Sequence, residues 1–186
     1  MEPKVLVTYA TRNGSTEEVA RTVGAVFGSH HVTVDVRPAA DVGSIAPYTA
    51  VVICVPLYMG RLLKEVRRFL SRYRSALELL PVALFVSGPV QNQEKDWTGA
   101  RNQLEKELRN FPWLSPVAQL IVGGKFDPSN LGFPFNLIPF LRKMSPSDVR
   151  DWGAIRKAAG ALAEQFRAGK GAGEETGDDS RQAANF

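Results

Sequence analysis

Three short runs, Val5–Thr8, Ala50–Val55 and Val82–Val86, are apolar at nearly every position rather than at every second one. A strand with one wet face alternates apolar and polar residues, whereas a strand covered on both faces has no polar side to show. These β-branched runs therefore predict central strands of a parallel sheet. Val32–Val36 and Val117–Val122 supply two further strands.

Helical periods separate the runs. Val19, Val23, Val26 and Phe27 share one face of a helix that Ser15 and Glu18 can open as a capping box and Gly28 can end. From Leu62 to Arg74, the residues Leu62, Val66, Phe69, Leu70 and Tyr73 form a second stripe. Trp97, Ala100, Leu104, Leu108 and Phe111 form a third, and Trp152, Ile155, Ala159, Leu162 and Phe166 a fourth, with Asp151 as its N-cap. Each stripe reads as core. Gly43 and Pro47 bracket too short a stretch for a full helix, so one covering helix is expected to shrink to a turn. Strands alternating with helices require right-handed crossovers, which predicts an α/β, doubly wound, five-stranded parallel sheet with helices on both faces. The expected domain is 1–167, followed by a small, polar, disordered tail over 168–186.

The chain has 186 residues and a net charge of +4, enough to bury one core. Its single cysteine, Cys54, lies in an apolar run and can close no intramolecular disulfide or cysteine metal site. No metal and no nucleic acid are expected. With no apolar stretch of transmembrane length and no recognisable export signal, a cytoplasmic protein is expected.

The chemistry concentrates after the first strand, in TYATRNGST. A strand, a polar glycine-containing turn and a helix start aim backbone N–H groups and a helix dipole at an anion. Ala10, Thr11, Arg12, Asn13, Gly14, Ser15 and Thr16 compose this seat, with hydroxyls and an amide as added donors. The loop has neither the G-x-x-x-x-G-K-[ST] pattern of an NTPase nor the G-x-G-x-x-G of a dinucleotide fold. Its lack of lysine suits a phosphomonoester that is held rather than a phosphoryl group that is transferred. A receiver needs an acidic cluster after the first strand, where Tyr9 and Ala10 stand, and a small tyrosine phosphatase needs an arginine where Gly60 stands.

This loop, together with VPLYMGRL after the third strand, resembles the flavodoxin family over about the first 165 residues. The resemblance implies strand order 2-1-3-4-5 and one FMN at the carboxyl ends of the strands. It places the flavin ring between Pro56, Leu57, Tyr58, Met59 and Gly60 on one side and Ser87, Gly88 and Val90 on the other. Tyr58 is expected to stack on the ring or cover its edge, and the Met59–Gly60 peptide to reorient toward flavin N5. Amides of Ser87, Gly88 and Val90, with Gln91 or Asn92, are expected at the pyrimidine edge. No side chain is required as a nucleophile, since the flavin carries the chemistry. Trp97 can replace a missing ring-stacking aromatic, although the helix stripe favours a core role.

Within the family, YATRNGSTEEVA, VPLYMGRL and a long insertion resemble the menaquinone-dependent protoporphyrinogen dehydrogenase branch. That branch implies FMN-dependent dehydrogenation of a bulky apolar substrate such as protoporphyrinogen, with a quinone as acceptor. The alternative is an electron carrier between redox proteins. The insertion, about 124–150, is much longer than an ordinary strand-to-helix connection. Phe133, Phe135, Leu137, Ile138, Phe140, Leu141 and Met144 make it apolar. Three readings stay open: a segment packed on its own domain, a wall for an apolar substrate, or a partner or peripheral membrane surface at 133–144, the last at the inner face of the membrane.

Overall fold

The computed structural model describes residues 3–130, 137–143 and 145–169. The expected strands all form. They are β1 (Lys4–Tyr9), β2 (Thr33–Pro38), β3 (Ala50–Tyr58), β4 (Val82–Ser87) and β5 (Ala118–Ile121). They pair in parallel in the order β2-β1-β3-β4-β5, the flavodoxin-like order.

Helices α1 (Ser15–Ser29) and α4 (Trp152–Arg167) cover one face, while α2 (Lys64–Arg72) and α3 (Glu94–Leu108) cover the other. The pleat divides each central strand between two cores. Val5, Val7, Val52, Cys54, Ala83 and Phe85 pack with Val19, Val23, Phe27, Ile155 and Phe166. Leu6, Val51, Ile53, Val55, Leu84 and Val86 pack with Val66, Phe69, Leu70 and Leu104. Both faces are dry, which is why the runs lack alternation.

Between β2 and β3 only one turn of 3-10 helix, Ala39–Asp41, is formed. Val42, Ile45 and Tyr48 close that corner of the core instead of a helix. The Tyr48 hydroxyl donates to Asp35 Oδ2 at 2.7 Å, and the Tyr73 hydroxyl donates to the Val42 carbonyl at 2.7 Å.

Three local expectations need correction. The N-cap of α1 is Gly14, in a left-handed conformation with φ 82° and ψ −18°, so Ser15 is already helical and no side chain caps the helix. Helix α1 also passes Gly28; the left-handed residue that ends it is His31, at φ 60°. Trp97 leaves the core stripe: it is half-buried, and its Nε1 donates to Asn92 Oδ1 at 3.0 Å. Asp151 does cap α4, accepting from the Ala154 amide at 2.8 Å.

The insertion begins with Lys125–Phe126, which pairs antiparallel with Ser147–Asp148. A short helix, Pro139–Lys143, lies between. Leu137, Ile138 and Phe140 are exposed. Phe133, Phe135, Met144, the side chain of Leu141 and residues 170–186 of the expected tail lie outside the described residues. Among the described residues, no helix is long and apolar enough to cross a membrane, and no cluster of His, Cys, Asp and Glu can hold a metal.

Candidate flavin site

At the carboxyl end of the sheet, β1 delivers the chain through Ala10 to Gly14, whose positive φ turns it directly into α1. A helix start leaves its first N–H groups without intrahelical acceptors. With no side chain folded back on them, these groups keep their donor capacity for a ligand. Thr11 Oγ1 is buried and has no hydrogen-bond partner, as is Thr8 Oγ1 below it. Leaving a buried hydroxyl unpaired is costly, so the orphan at Thr11 points to a group that the protein itself does not supply. The buried Thr16 hydroxyl lies 3.3 Å from the Ser87 hydroxyl and so joins the first loop to the end of β4.

The loop after β3 is built differently. Arg61–Leu62 pairs back on Leu57–Tyr58, leaving Met59 and Gly60 as a two-residue hairpin turn. Their φ values of 52° and 76° are both positive, the signature of a type I′ turn. Glycine reaches this conformation without a Cβ clash, and Met59, 85% exposed, projects outward from the other position. The buried Glu107 of α3 holds the hairpin. Its Oε1 accepts from the Leu62 amide at 3.3 Å and lies 3.5 Å from Arg67 Nε, while its Oε2 accepts from Asn110 at 3.0 Å.

Between these loops is a cavity of about 220 Å³. Thr11, Arg12, Asn13, Ser15 and Thr16 line it from the first loop, Pro56, Leu57 and Tyr58 from the second, and Ser87, Gly88 and Val90 from the third. Of the expected residues, Ala10, Gly14, Met59 and Gly60 shape the loops without lining it. Arg12 lies over the Tyr58 ring, 4.7 Å from its centroid, bridging the first two loops. A second cavity of about 460 Å³ adjoins the first through Leu57, Gly88 and Val90.

The third loop is more occupied than expected. The Gly88 amide donates to the Gly123 carbonyl at 3.2 Å, and Asn92 is engaged by Trp97. The Gly88 amide is thereby engaged within the protein. An acceptor stands there instead: Asp96 Oδ2, buried without a partner in a residue that lines the second cavity. Asp96 lies inside the segment Ser87–Trp97, yet in one dimension it is only a first-turn acidic residue of α3.

Sequence reasoning also missed Gly124, Lys125 and Phe126, which line the first cavity. They are more than 100 residues from the first loop and carry no motif. The chain is held there tightly. A Cβ on Gly124 would lie 2.6 Å from the Gly88 carbonyl oxygen, and one on Gly123, at φ 76°, would lie 2.3 Å from that of Val149. Arg150 closes the arrangement from beneath. Its buried guanidinium pairs with both oxygens of Asp148 at 2.8 and 2.6 Å, donates to the Ser15 carbonyl at 2.9 Å and meets Glu18 Oε2 at 2.9 Å. Those bonds hold the Asp148 carboxyl below its usual range.

The flavodoxin domain model matches residues 6–146, and this chain belongs to that family. The family is one of FMN-binding electron-transfer proteins, and the donor set around Thr11 fits a phosphomonoester such as that of FMN. No curated protein sequence matches the chain. Solved structures share its fold. A flavodoxin from the domain Archaea aligns with 16% identity, covering 88% of this chain and 98% of that one, at a TM-score of 0.56. The two-electron reduced flavodoxin of Megasphaera elsdenii aligns with 16% identity over 86% and 98%, at 0.53. Rubredoxin oxygen:oxidoreductase from Desulfovibrio gigas aligns with 19% identity over 90% of this chain but only 37% of its own length, at 0.57.

Proposed function

We propose that the chain holds FMN with its phosphate at Ala10–Thr16 and its ring between the hairpin at Pro56–Gly60 and the loop at Ser87–Val90, and that it transfers electrons to a redox partner. The observation that carries this reading is the unpaired Thr11 hydroxyl beside an uncapped helix start, inside a cavity walled by all three loops. Bound flavin supplies the redox chemistry. The protein's part is to seat the phosphate with Thr11, Asn13, Ser15, Thr16 and the first amides of α1. Tyr58 borders the ring, and Asp96 Oδ2 offers an acceptor to a ring N–H.

The insertion favours a second reading, in which the protein is a dehydrogenase of a bulky apolar substrate such as protoporphyrinogen with a quinone as acceptor. Leu137 at 67% and Phe140 at 71% exposure are not spent on the protein's own core. They leave an apolar surface for substrate, partner or membrane.

The first test is the visible spectrum after reconstitution of the apoprotein with FMN. A flavin band with quenched fluorescence is expected, and no uptake would sink both readings. A redox titration then separates them. A persistent semiquinone marks a one-electron carrier, whereas direct two-electron reduction with quinone turnover marks the enzyme.

A further inference from the structure

The loop Ala10–Thr16 carries no lysine, and its one cation, Arg12, lies over the ring of Tyr58. With Arg12 turned onto Tyr58, a dianionic phosphate in this loop would rest chiefly on neutral donors. The structure brings a cation from elsewhere. Lys125 lines the same cavity, and its Nζ lies 3.4 Å from Oε1 of Glu18, in the early part of α1.

That contact is loose. Charge-assisted N–H···O bonds settle at about 2.7–2.9 Å, and both side chains are partly exposed, at 39% and 47%. The other oxygen of Glu18 makes the shorter bond, 2.9 Å to buried Arg150. Glu18 therefore keeps a partner when Lys125 leaves it. Meanwhile the Lys125 backbone is fixed by pairing with Asp148 and by the close approach of Gly124 to Gly88, so only the flexible stem needs to move. A compact ammonium on four methylenes suits a terminal phosphate.

We propose that Lys125 is the cation of the phosphate seat, held by Glu18 until the anion arrives, so that the site selects a phosphomonoester over its dephosphorylated form. The proposal deepens the FMN reading and rests on its placement of the phosphate. It makes the base of the insertion part of cofactor recognition.

The test is binding of FMN and of riboflavin to the apoprotein, followed by flavin fluorescence, in wild type, Lys125→Gln, Lys125→Arg and Glu18→Gln. Loss of one charge-assisted bond in Lys125→Gln is expected to weaken FMN by at least about tenfold and leave riboflavin unchanged. Lys125→Arg is expected to keep most of the FMN preference, and Glu18→Gln to tighten FMN. Equal loss of both flavins in Lys125→Gln, or undiminished FMN binding, overturns the proposal. Ligand-free melting curves identify any variant that misfolds, and the Glu18→Gln arm then decides alone: unchanged or weaker FMN binding overturns the proposal. Thermal stabilisation by inorganic phosphate at matched ionic strength separates the two levels. If wild type takes neither flavin but gains stability from phosphate, and Lys125→Gln does not, the lysine seat stands and only the FMN reading fails. If wild type responds to neither, the proposal fails too.

Discussion

The loops after β1 and β3 face each other across one cavity and solve opposite problems. The first, Ala10–Thr16, leaves its polar groups open: a helix start with no side-chain cap and a buried threonine hydroxyl with no partner. The second, Leu57–Leu62, is closed on itself by a type I′ turn and tied to α3 through Glu107. The first leaves polar groups unspent, and the second is built to hold a shape. Unpaired donors tell where a ligand's anion belongs, while satisfied ones tell which surface must stay rigid beside it.

The largest effect expected along this divide comes from beneath the first loop. Arg150→Ala removes a buried guanidinium that joins Ser15, Glu18 and Asp148. Breaking a buried pair costs about 3–5 kcal/mol. The low end is expected here, about 3 kcal/mol in urea unfolding, because Glu18 and Asp148 are partly exposed and rehydrate. A loss too small to measure would mean that the open loop stands without support.

Glu107→Ala comes next. It takes an acceptor from the Leu62 amide and a partner from Arg67, and is expected to cost about 2 kcal/mol. Faster hydrogen exchange at Leu62 should accompany the loss. Exchange spread evenly over the sheet would instead show that Glu107 supports the fold rather than the hairpin.

Acid should act on the base of the insertion. The Asp148 carboxyl is held below its usual range chiefly by its hydrogen bonds to Arg150, so its contribution is complete at neutral pH. It is lost progressively as pH falls from the ordinary carboxylate range through that depressed value, where the native carboxylate protonates. Comparing acid unfolding of wild type and Asp148→Asn should show the steeper loss in wild type.

The smallest change in stability, and the sharpest in binding, is expected at Thr11. Thr11→Ala deletes a hydroxyl that has no partner, so the apoprotein should keep or slightly gain stability. FMN affinity should fall by about 1 kcal/mol, several-fold in Kd, in a fluorescence titration, as one hydrogen bond to the phosphate is lost. The double variant with Ser15→Ala should lose more. Unchanged affinity would move the phosphate elsewhere.

Much of the architecture was legible in one dimension because burial on two faces leaves a local trace. Strands without alternation, helices with one apolar stripe and a polar strand-to-helix turn each appear within a short stretch of sequence. The first cavity-lining loop was found from that local trace, whereas the segments at Pro56–Gly60 and Ser87–Val90 were placed by the family resemblance. Trp97 was misjudged because a helical period records which face a residue occupies, not how far along the axis the sheet extends to cover it. At Trp97 the indole N–H meets Asn92 instead.

The sequence alone therefore determined the sheet, its two covered faces and the polar strand-to-helix turn, all set by contacts between near neighbours and by patterns of apolar residues. Only the tertiary structure decided that Gly14 leaves α1 uncapped, that Glu107 clamps the hairpin, and that Lys125 and Arg150 arrive at a loop more than 100 residues away. Those depend on which chain ends the folded sheet brings together. A lone charge has no periodicity, so nothing in its own neighbourhood announces the partner it will meet.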